Sequence, residues 1–371
     1  MFTVNKYLQV FAGVALLGST ALLSSCDGVI YEDLDPCSVN YALRFRWDYN
    51  MLFADAFKEN VGSVAVYGFD SDTEKLAWVI TEKGEALAAD GYMMSLNEIK
   101  PGSYKVVAWC GLENDGERGE SFLVPDLVAG ESTLSDLTCR MEREVREDGT
   151  HHSSSDLYDL YHGSVENVEI QSVTDPSNKG DHIYTVNLLK DTNSVRIILQ
   201  QLSGNDIDAD KFTYTIEESN GLLNHDNSLL DDETITYHPW QQKNGVASVL
   251  TPEESSTRGL ANPLYGDIPT RAEGDVKVAI ADLTMSRLIA DRQSVLTVKN
   301  DEGATVARIP LTDYALLVKD RYTREMTDQE YLDRQDNYTL TFFLDANSNW
   351  LSASILINSW RVVLGSMDFG K

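Results

Sequence analysis

The sequence lacks the short motifs that carry common enzyme chemistry. It has no Gly-rich phosphate loop, no His-Glu-x-x-His, no Gly-x-Ser-x-Gly and no Cys-x-x-Cys. Those spacings serve nucleotide binding, zinc proteolysis, serine hydrolysis and thiol redox chemistry. Glycoside hydrolysis needs only two carboxylates brought together in space, and the chain has too many acids for the sequence to single out a pair. We therefore expect a protein that is not an enzyme and has no cofactor.

Positive charge is also scarce. Thirty Lys and Arg residues stand against 59 Asp and Glu residues, and the formal net charge is −29. A surface of this sign repels phosphate backbones and anionic headgroups, so nucleic acid and anionic lipid are not expected partners. Simple solubility explains the acidity equally well.

Long hydrophobic runs are missing except at the N-terminus. There Lys6 precedes the apolar stretch Leu8–Leu23, which is followed by Ser24, Ser25 and Cys26. This is the pattern of a secretion signal, and Leu23–Cys26 matches a lipobox. The sequence predicts that residues 1–25 are removed and that Cys26 carries a lipid, which leaves a mature charge of −30 because Lys6 is lost. The alternative is an ordinary signal peptide with a chance cysteine.

Cysteine is rare, with four in the chain. With Cys26 acylated, Cys37, Cys110 and Cys139 remain, and three thiols cannot all pair within one chain. A secreted protein can form disulfides, so one disulfide and one free thiol are possible, but the sequence does not fix which cysteines pair.

Metal ligands are not clustered convincingly. His151, His152 and His162 lie near Asp156 and Asp159, and imidazole and carboxylate groups suit zinc. A solvated loop is the better interpretation, and no metal site is predicted. Asp70, Asp72 and Glu74 have the alternating spacing of a calcium loop but lack its glycine and its closing glutamate, so a hairpin turn is predicted there.

Strand signals dominate the remainder. Alternating apolar and polar residues, separated by turn residues, predict a mostly β protein with sandwich strands. A mature chain of about 345 residues exceeds one typical core, so two domains are predicted, 26–190 and 191–371. The predicted strands are Tyr41–Asp48, Ser63–Phe69, Ala77–Thr81, Tyr92–Leu96, Tyr104–Cys110, Tyr184–Leu188, Ser194–Gln201, Phe212–Glu217, Thr234–Tyr237, Val276–Asp282, Val295–Lys299, Thr305–Ile309, Tyr338–Leu344 and Leu351–Val363.

Other segments read as loops or short helix. Glu142–Asp159 and Gln241–Gly274 are polar and lack periodicity, so both are predicted loops. Thr327 followed by Glu330 fits a capping box that opens a short helix. Most tryptophans lie in alternating strands, where a core or sheet-face role is expected, although a carbohydrate platform is the alternative: Trp47, Trp78, Trp109, Trp350 and Trp360, with Tyr49.

Several blocks along the chain are distinctive when taken together. The first is Cys26–Cys37, which contains Asp-Leu-Asp-Pro-Cys directly after the lipobox. Further blocks are Leu43–Met51, Phe53–Phe57, Pro101–Trp109, Asp159–Gly163, Glu330–Gln335 and Ile355–Val362. These blocks resemble the FimB family of fimbrial anchor lipoproteins, for which Cys26–Cys37 is the most specific and in which a glycine is frequent where this chain has Ser359.

The resemblance implies two transthyretin-like Greek-key β-sandwich domains in tandem, lipid-anchored in the outer membrane at the cell surface. It also implies that the protein holds the base of a type V fimbria, limits its length and binds the shaft subunit through strand-type contacts. We expect the strand near Tyr41–Trp47 to be retained and Ser359–Lys371 to meet the shaft. The alternatives are a fimbrial tip or surface adhesin that binds through Gln241–Gly274, or a surface lipoprotein that binds glycans.

Overall fold

The computed structural model describes residues 39–113, 119–172, 178–248, 275–322 and 324–364. Within them the chain is mostly β, as the sequence predicts. The helices are α1 (Phe57–Asn60), α2 (Leu311–Leu316) and α3 (Asp328–Arg334). The 3₁₀ turns are Glu85–Ala88, Leu134–Asp136, Ala209–Lys211 and Lys319–Arg321. In the described ranges no helix is long and apolar enough to cross a membrane.

The strands, in chain order, are β1 (Val39–Arg46), β2 (Ser63–Asp70), β3 (Leu76–Lys83), β4 (Met94–Ser95), β5 (Gly102–Cys110), β6 (Phe122–Leu123), β7 (Thr138–Met141), β8 (Glu144–Val145), β9 (His151–Ser153), β10 (Tyr161–Ile170), β11 (Gly180–Asn187), β12 (Leu189–Lys190), β13 (Thr192–Gln201), β14 (Phe212–Glu218), β15 (Leu222–Asn224), β16 (Ile235–Tyr237), β17 (Gln241–Ser248), β18 (Asp275–Ser286), β19 (Val295–Asn300), β20 (Thr305–Pro310), β21 (Asn337–Leu344), β22 (Trp350–Ile357) and β23 (Trp360–Val363).

The first sandwich packs a three-stranded sheet, ordered β11-β1-β4, against a five-stranded sheet, ordered β12-β10-β5-β2-β3. Alternation places Tyr41, Leu43 and Phe45 of β1 on the face that meets Val66 and Val106. Each is at most 3% exposed. Burial of this apolar area, at about 25 cal/mol per Å², stabilises the first core.

The second sandwich pairs two six-stranded sheets. One has the order β17-β18-β13-β21-β22-β23 and the other β20-β19-β14-β16-β9-β8. Its core continues onto the back of the five-stranded sheet, because Tyr67 and Trp109 belong to the same buried cluster as Ile197 and Phe342. A small sheet, β15-β7-β6, lies beside this core. The two sandwiches are therefore joined by apolar packing.

The chain passes from the five-stranded sheet to the second sandwich between Lys190 of β12 and Thr192 of β13. The predicted division into 26–190 and 191–371 stays a prediction. Two strands of the first range do not follow it. Strands β8 and β9 precede residue 190 but belong to a sheet of the second sandwich, where β9 runs parallel to β16. Local sequence cannot reveal this pairing, because its partner lies more than eighty residues away.

Three predictions about local structure are corrected. Glu142–Asp159 is not only loop, because it contains β8 and β9. Gln241–Ser248 forms edge strand β17, whose hydrogen bonds come from β18, while 249–274 lies outside the described residues. Leu351–Val363 is a hairpin of β22 and β23, since Asn358 and Ser359 have positive φ angles of 46° and 71° and reverse the chain.

Two other local predictions are confirmed. The helix predicted after Thr327 is present, and Thr327 caps it by accepting a hydrogen bond from the Glu330 amide at 3.1 Å. The return bond of the predicted capping box is not formed among the described residues, because the Glu330 carboxylate accepts from Arg334 at 2.9 Å. Asp70 accepts from the amide and hydroxyl of Thr73 and closes the turn between β2 and β3.

Candidate functional site

The first strand of the described residues is β1. β1 lies between β11 and β4, and it pairs with β11 in parallel along all eight of its residues. The Tyr41 hydroxyl also accepts a hydrogen bond from the Gln171 amide at 3.0 Å. Among the described residues, β1 is thus the first strand of the sandwich and lies in the interior of its sheet. Cys26, the predicted lipid site, lies outside the described residues.

An ionic contact fixes the passage between the sandwiches. The ammonium of Lys190 lies 2.9 Å from the Asp159 carboxylate and 2.8 Å from that of Asp336. Burial alone would lower the pKa of Lys190, but the two carboxylates raise it above its ordinary value. This lysine therefore stays charged and joins the strand β12 to the start of β21.

The next residue, Asp191, is fully buried. Its carboxylate accepts a hydrogen bond from Asn227 at 2.9 Å and lies 3.4 Å from Nε of Arg287. Burial outweighs the guanidinium and raises the pKa of Asp191 to about 7. Arg287 also reaches the carboxylate of Asp333 on α3 at 3.4 Å. The junction is therefore a buried polar network rather than a flexible linker.

The histidines singled out by the sequence lie in two separate places. The His162 ring packs against Trp109 in a tilted arrangement, with ring centroids 4.6 Å apart, and its Nε2 lies 2.9 Å from the His225 carbonyl oxygen. Burial lowers the pKa of His162 to about 4, so it is neutral at pH 7. His152 instead pairs with His238, with ring nitrogens 2.9 Å apart.

Asp156 and Asp159, the carboxylates considered with these histidines, lie at two further places. Asp159 pairs with Lys190, and Asp156 lies beside a cleft of the second sandwich. Among the described residues, no group of three or more metal ligands is present.

The cysteines occupy different cores. Cys110 faces the first core, whereas Cys139 lies in the second, and both are free thiols. Burial raises the pKa of both, so neither is a reactive thiolate at neutral pH. Cys37 lies outside the described residues, and a disulfide that involves it stays a prediction.

The C-terminal hairpin forms a sheet edge. Within the described residues, β23 pairs only with β22. Trp360 is 38% exposed and Val363 is 47% exposed, while the guanidinium of Arg321 lies 5.9 Å from the centre of the Trp360 ring. In a two-residue hairpin the pair next to the turn exchanges both hydrogen bonds and the following pair does not. The amides of Arg361 and Val363 therefore point to the open edge.

The predicted aromatic residues have mostly packing roles. Trp47 meets Tyr161 edge to face, and Trp109 is fully buried. Trp78 lies across Gly68, where a Cβ atom would come within 2.0 Å of the indole. Trp240 is not among the predicted aromatic residues, and it is 39% exposed beside a cleft. Its position between Pro239 and β17, outside any alternating pattern, was the available signal.

Comparison with known proteins matches this architecture to fimbrial proteins. A model of the family described as fimbrillin-A associated anchor proteins Mfa1 and Mfa2 matches residues 34–365. The chain is also 24% identical over 222 residues to the minor fimbrium anchoring subunit Mfa2 of Porphyromonas gingivalis. That match covers 60% of this chain and 63% of the relative, which is less than two thirds of its length.

Solved structures have the same fold. A Bacteroides thetaiotaomicron protein described as a candidate adhesin is 29% identical, with a TM-score of 0.71 over 90% of this chain and 100% of its own. The fimbrial anchor protein Mfa2 of P. gingivalis superimposes with a TM-score of 0.58 at 16% identity, over 88% and 99% of the two chains. The protein thus shares its mostly β fold with these structures. It belongs to the family of fimbrillin-A associated anchor proteins.

Proposed function

We propose that this chain is an outer-membrane lipoprotein that holds the base of a fimbria at the cell surface through a lipid on Cys26. The observation that carries the proposal is the family match over residues 34–365, together with the lipobox that precedes it. Several acyl chains on one N-terminus, at about 0.8 kcal/mol per buried methylene, give effectively permanent attachment. The finer parts of the proposal are shaft binding and length limitation.

The position of β1 supports a role under mechanical load. Val39 follows Cys26 by thirteen residues, so β1 is the first of the described strands that tension on a lipid anchor would reach. Because β1 is hydrogen-bonded on both sides, a pull along its axis loads its ladder with β11 in shear rather than one bond at a time. A central strand of this kind suits an anchor that keeps its N-terminus, and we infer that it is not exchanged for a donor strand.

The open edge of β23 is the proposed contact for the shaft subunit. Its two outward amides can extend the sheet with a strand of another chain, and exposed Trp360 and Val363 add apolar area. A chain that accepts one shaft subunit and offers no further donor strand would end the polymer at its base. Length limitation follows from that arrangement.

A matched pair of variants tests the edge. Arg361→Pro removes an outward amide, whereas Arg361→Ala keeps it and removes the same charge. We expect the proline variant to co-isolate at least tenfold less shaft subunit from cells than the wild type and the alanine variant to co-isolate a normal amount. Near-ultraviolet circular dichroism confirms that both are folded. Equal co-isolation by the two variants would show that the shaft does not bind this edge.

A surface adhesin of the same fold is the competing function, and the similarity to the B. thetaiotaomicron protein described as a candidate adhesin favours it. The two functions differ in one consequence. Loss of an anchor releases whole shafts from cells, whereas loss of an adhesin leaves shafts attached and reduces binding to a host or bacterial surface.

A further inference from the structure

The outer face of one sheet of the second sandwich changes character along its length. The register of β18, β13 and β21 places six polar side chains there in two adjacent rows of three, and the next two rows along the strands are mainly apolar. The polar rows are Thr284, Ser194 and Asn337, then Asp282, Arg196 and Thr339; the apolar rows are Ile280, Ile198 and Thr341, then Val278, Gln200 and Phe343.

These polar rows form the floor of a cleft of about 290 Å³, which Asp156 and Trp240 also line. Strands lie about 4.8 Å apart and successive residues on one face about 7 Å apart, so the floor measures roughly 10 by 7 Å. Trp240 is held at the rim because its amide donates to the Asp282 carbonyl at 3.0 Å. An indole that is 39% exposed at this place leaves apolar area uncovered. We call this site the Trp240 cleft.

The guanidinium of Arg196 is fixed within the Trp240 cleft. Its Nε and Nη2 donate to the two oxygens of Asp282 at 2.6 and 3.2 Å, and Lys243 approaches the same carboxylate at 3.4 Å. The Arg196 side chain is nevertheless half exposed. A fork held by a carboxylate on one side presents its remaining N–H groups without further loss of side-chain entropy.

Hydroxyl groups complete the floor. Those of Ser194 and Thr339 form no hydrogen bond to other described residues, so each can donate and accept. Thr284 is already engaged, since its hydroxyl donates to the Ser155 carbonyl at 2.8 Å and accepts from the Leu157 amide at 2.9 Å. The cleft therefore combines free hydroxyls, a fixed cationic donor and a carboxylate beside an exposed aromatic ring.

We propose that the Trp240 cleft binds one pyranose ring of a glycan. A pyranose has a flat C–H face that stacks on an indole and a rim of hydroxyls that both donate and accept, which are the two features that the cleft offers. Phosphate-rich ligands fit poorly, because the carboxylates of Asp156 and Asp282 line the cleft. A peptide strand fits poorly as well, because the cleft lies on the face of the sheet and not at an edge.

The test is saturation-transfer NMR on the full chain with methyl α-glycosides of glucose, mannose, galactose, N-acetylglucosamine and N-acetylneuraminic acid, each at millimolar concentration. At least one glycoside should bind the wild type. Trp240→Ala should weaken that binding by at least tenfold, and Thr339→Val should weaken it several-fold. Trp360→Ala is the matched control, because it removes a tryptophan of similar exposure that lies outside the cleft, and it should bind these glycosides like the wild type.

Three outcomes would overturn the proposal: no glycoside binds the wild type, Trp240→Ala and Trp360→Ala lose binding equally, or a folded Trp240→Ala variant binds unchanged. If Trp240→Ala does not fold, Thr339→Val decides. Binding of the acidic sugar alone, with the same loss in Trp240→Ala, would also support the cleft. The inference is independent of the proposed anchoring, because a Trp240→Ala variant should still co-isolate the shaft subunit.

Discussion

The guanidinium of Arg334 lies 4.0 Å from the centre of the Tyr49 ring. This contact joins α3 of the second sandwich to the loop that follows β1 in the first. The same guanidinium lies 4.4 Å from the Phe53 ring and donates to the carbonyl of Asp48 at 3.2 Å. One side chain thus connects the loop after β1 to the sandwich that carries the open edge.

Arg334→Ala should lower the free energy of unfolding by about 2 kcal/mol, because it removes a largely buried cation–π contact and leaves a backbone carbonyl without its donor. Arg334→Lys should recover only part of the loss, since an ammonium lacks the planar fork. Urea unfolding measures both. Arg361→Ala, on the exposed edge, is the control and should change stability by less than about 0.5 kcal/mol. Equal stability of Arg334→Ala and Arg361→Ala would contradict this role.

His162 should make the fold sensitive to acid. Its folded pKa of about 4 lies below its ordinary value of 6.5, so the folded state binds fewer protons than the unfolded state between these values. Stability is therefore lost as pH falls from about 6.5 to 4. As the pH falls through this interval, the free energy of unfolding of His162→Gln should rise relative to that of the wild type by up to about 3 kcal/mol. Urea midpoints measured across pH test this, and a difference that stays constant with pH would refute it.

Asp191 should act in the opposite direction. Its folded pKa of about 7 lies above its ordinary value of 3.8, so the stability it contributes is complete below pH 4 and is lost as pH rises through 7. As the pH rises from 4 to 8, the free energy of unfolding of Asp191→Asn should therefore rise relative to that of the wild type by on the order of 4 kcal/mol. The same urea series measures it. If Asp191→Asn instead lost stability relative to the wild type as the pH rose, the Arg287 guanidinium, and not burial, would set the pKa of Asp191.

Ser359 occupies a backbone conformation that suits glycine. Its φ angle is 71° in the turn between β22 and β23, and a non-glycine residue there costs roughly 1 kcal/mol or more. Ser359→Gly should raise the melting temperature. Asn358→Gly is the control and should lower it, because asparagine tolerates this region and its side chain accepts from the Thr339 amide at 2.7 Å. If Ser359→Gly melts no higher than the wild type, the turn is not strained.

Local alternation accounts for much of the fold. Tyr41, Leu43 and Phe45 alternate with polar residues and predict β1, which the structure confirms. Edge strands and short strands are not predicted by alternation, because they form only when a partner strand supplies their hydrogen bonds. β17 has little apolar alternation and is held by β18, and β9 is held by a parallel partner from the far half of the chain.

Local sequence predicts one of the sites and not the others. The residues next to Cys26 predict its lipidation, which stays a prediction because Cys26 lies outside the described residues. The Trp240 cleft is not readable, since Arg196, Asp282 and Thr339 come from three strands that meet only in the folded sheet. The burial of Asp191 cannot be predicted from the sequence either, because an aspartate is expected at the surface and the residues that bury it are distant in the chain.

The most direct measurement of the central claim is to replace Cys26 by Ala in the native cell and to determine by immunoblot and electron microscopy where the fimbrial shafts are. Anchoring through this cysteine predicts that shafts of altered length appear in the medium, while the unlipidated protein still co-isolates with the shaft subunit. Shafts that stay on the cells at unchanged length would contradict the account, and the adhesin function would then be preferred.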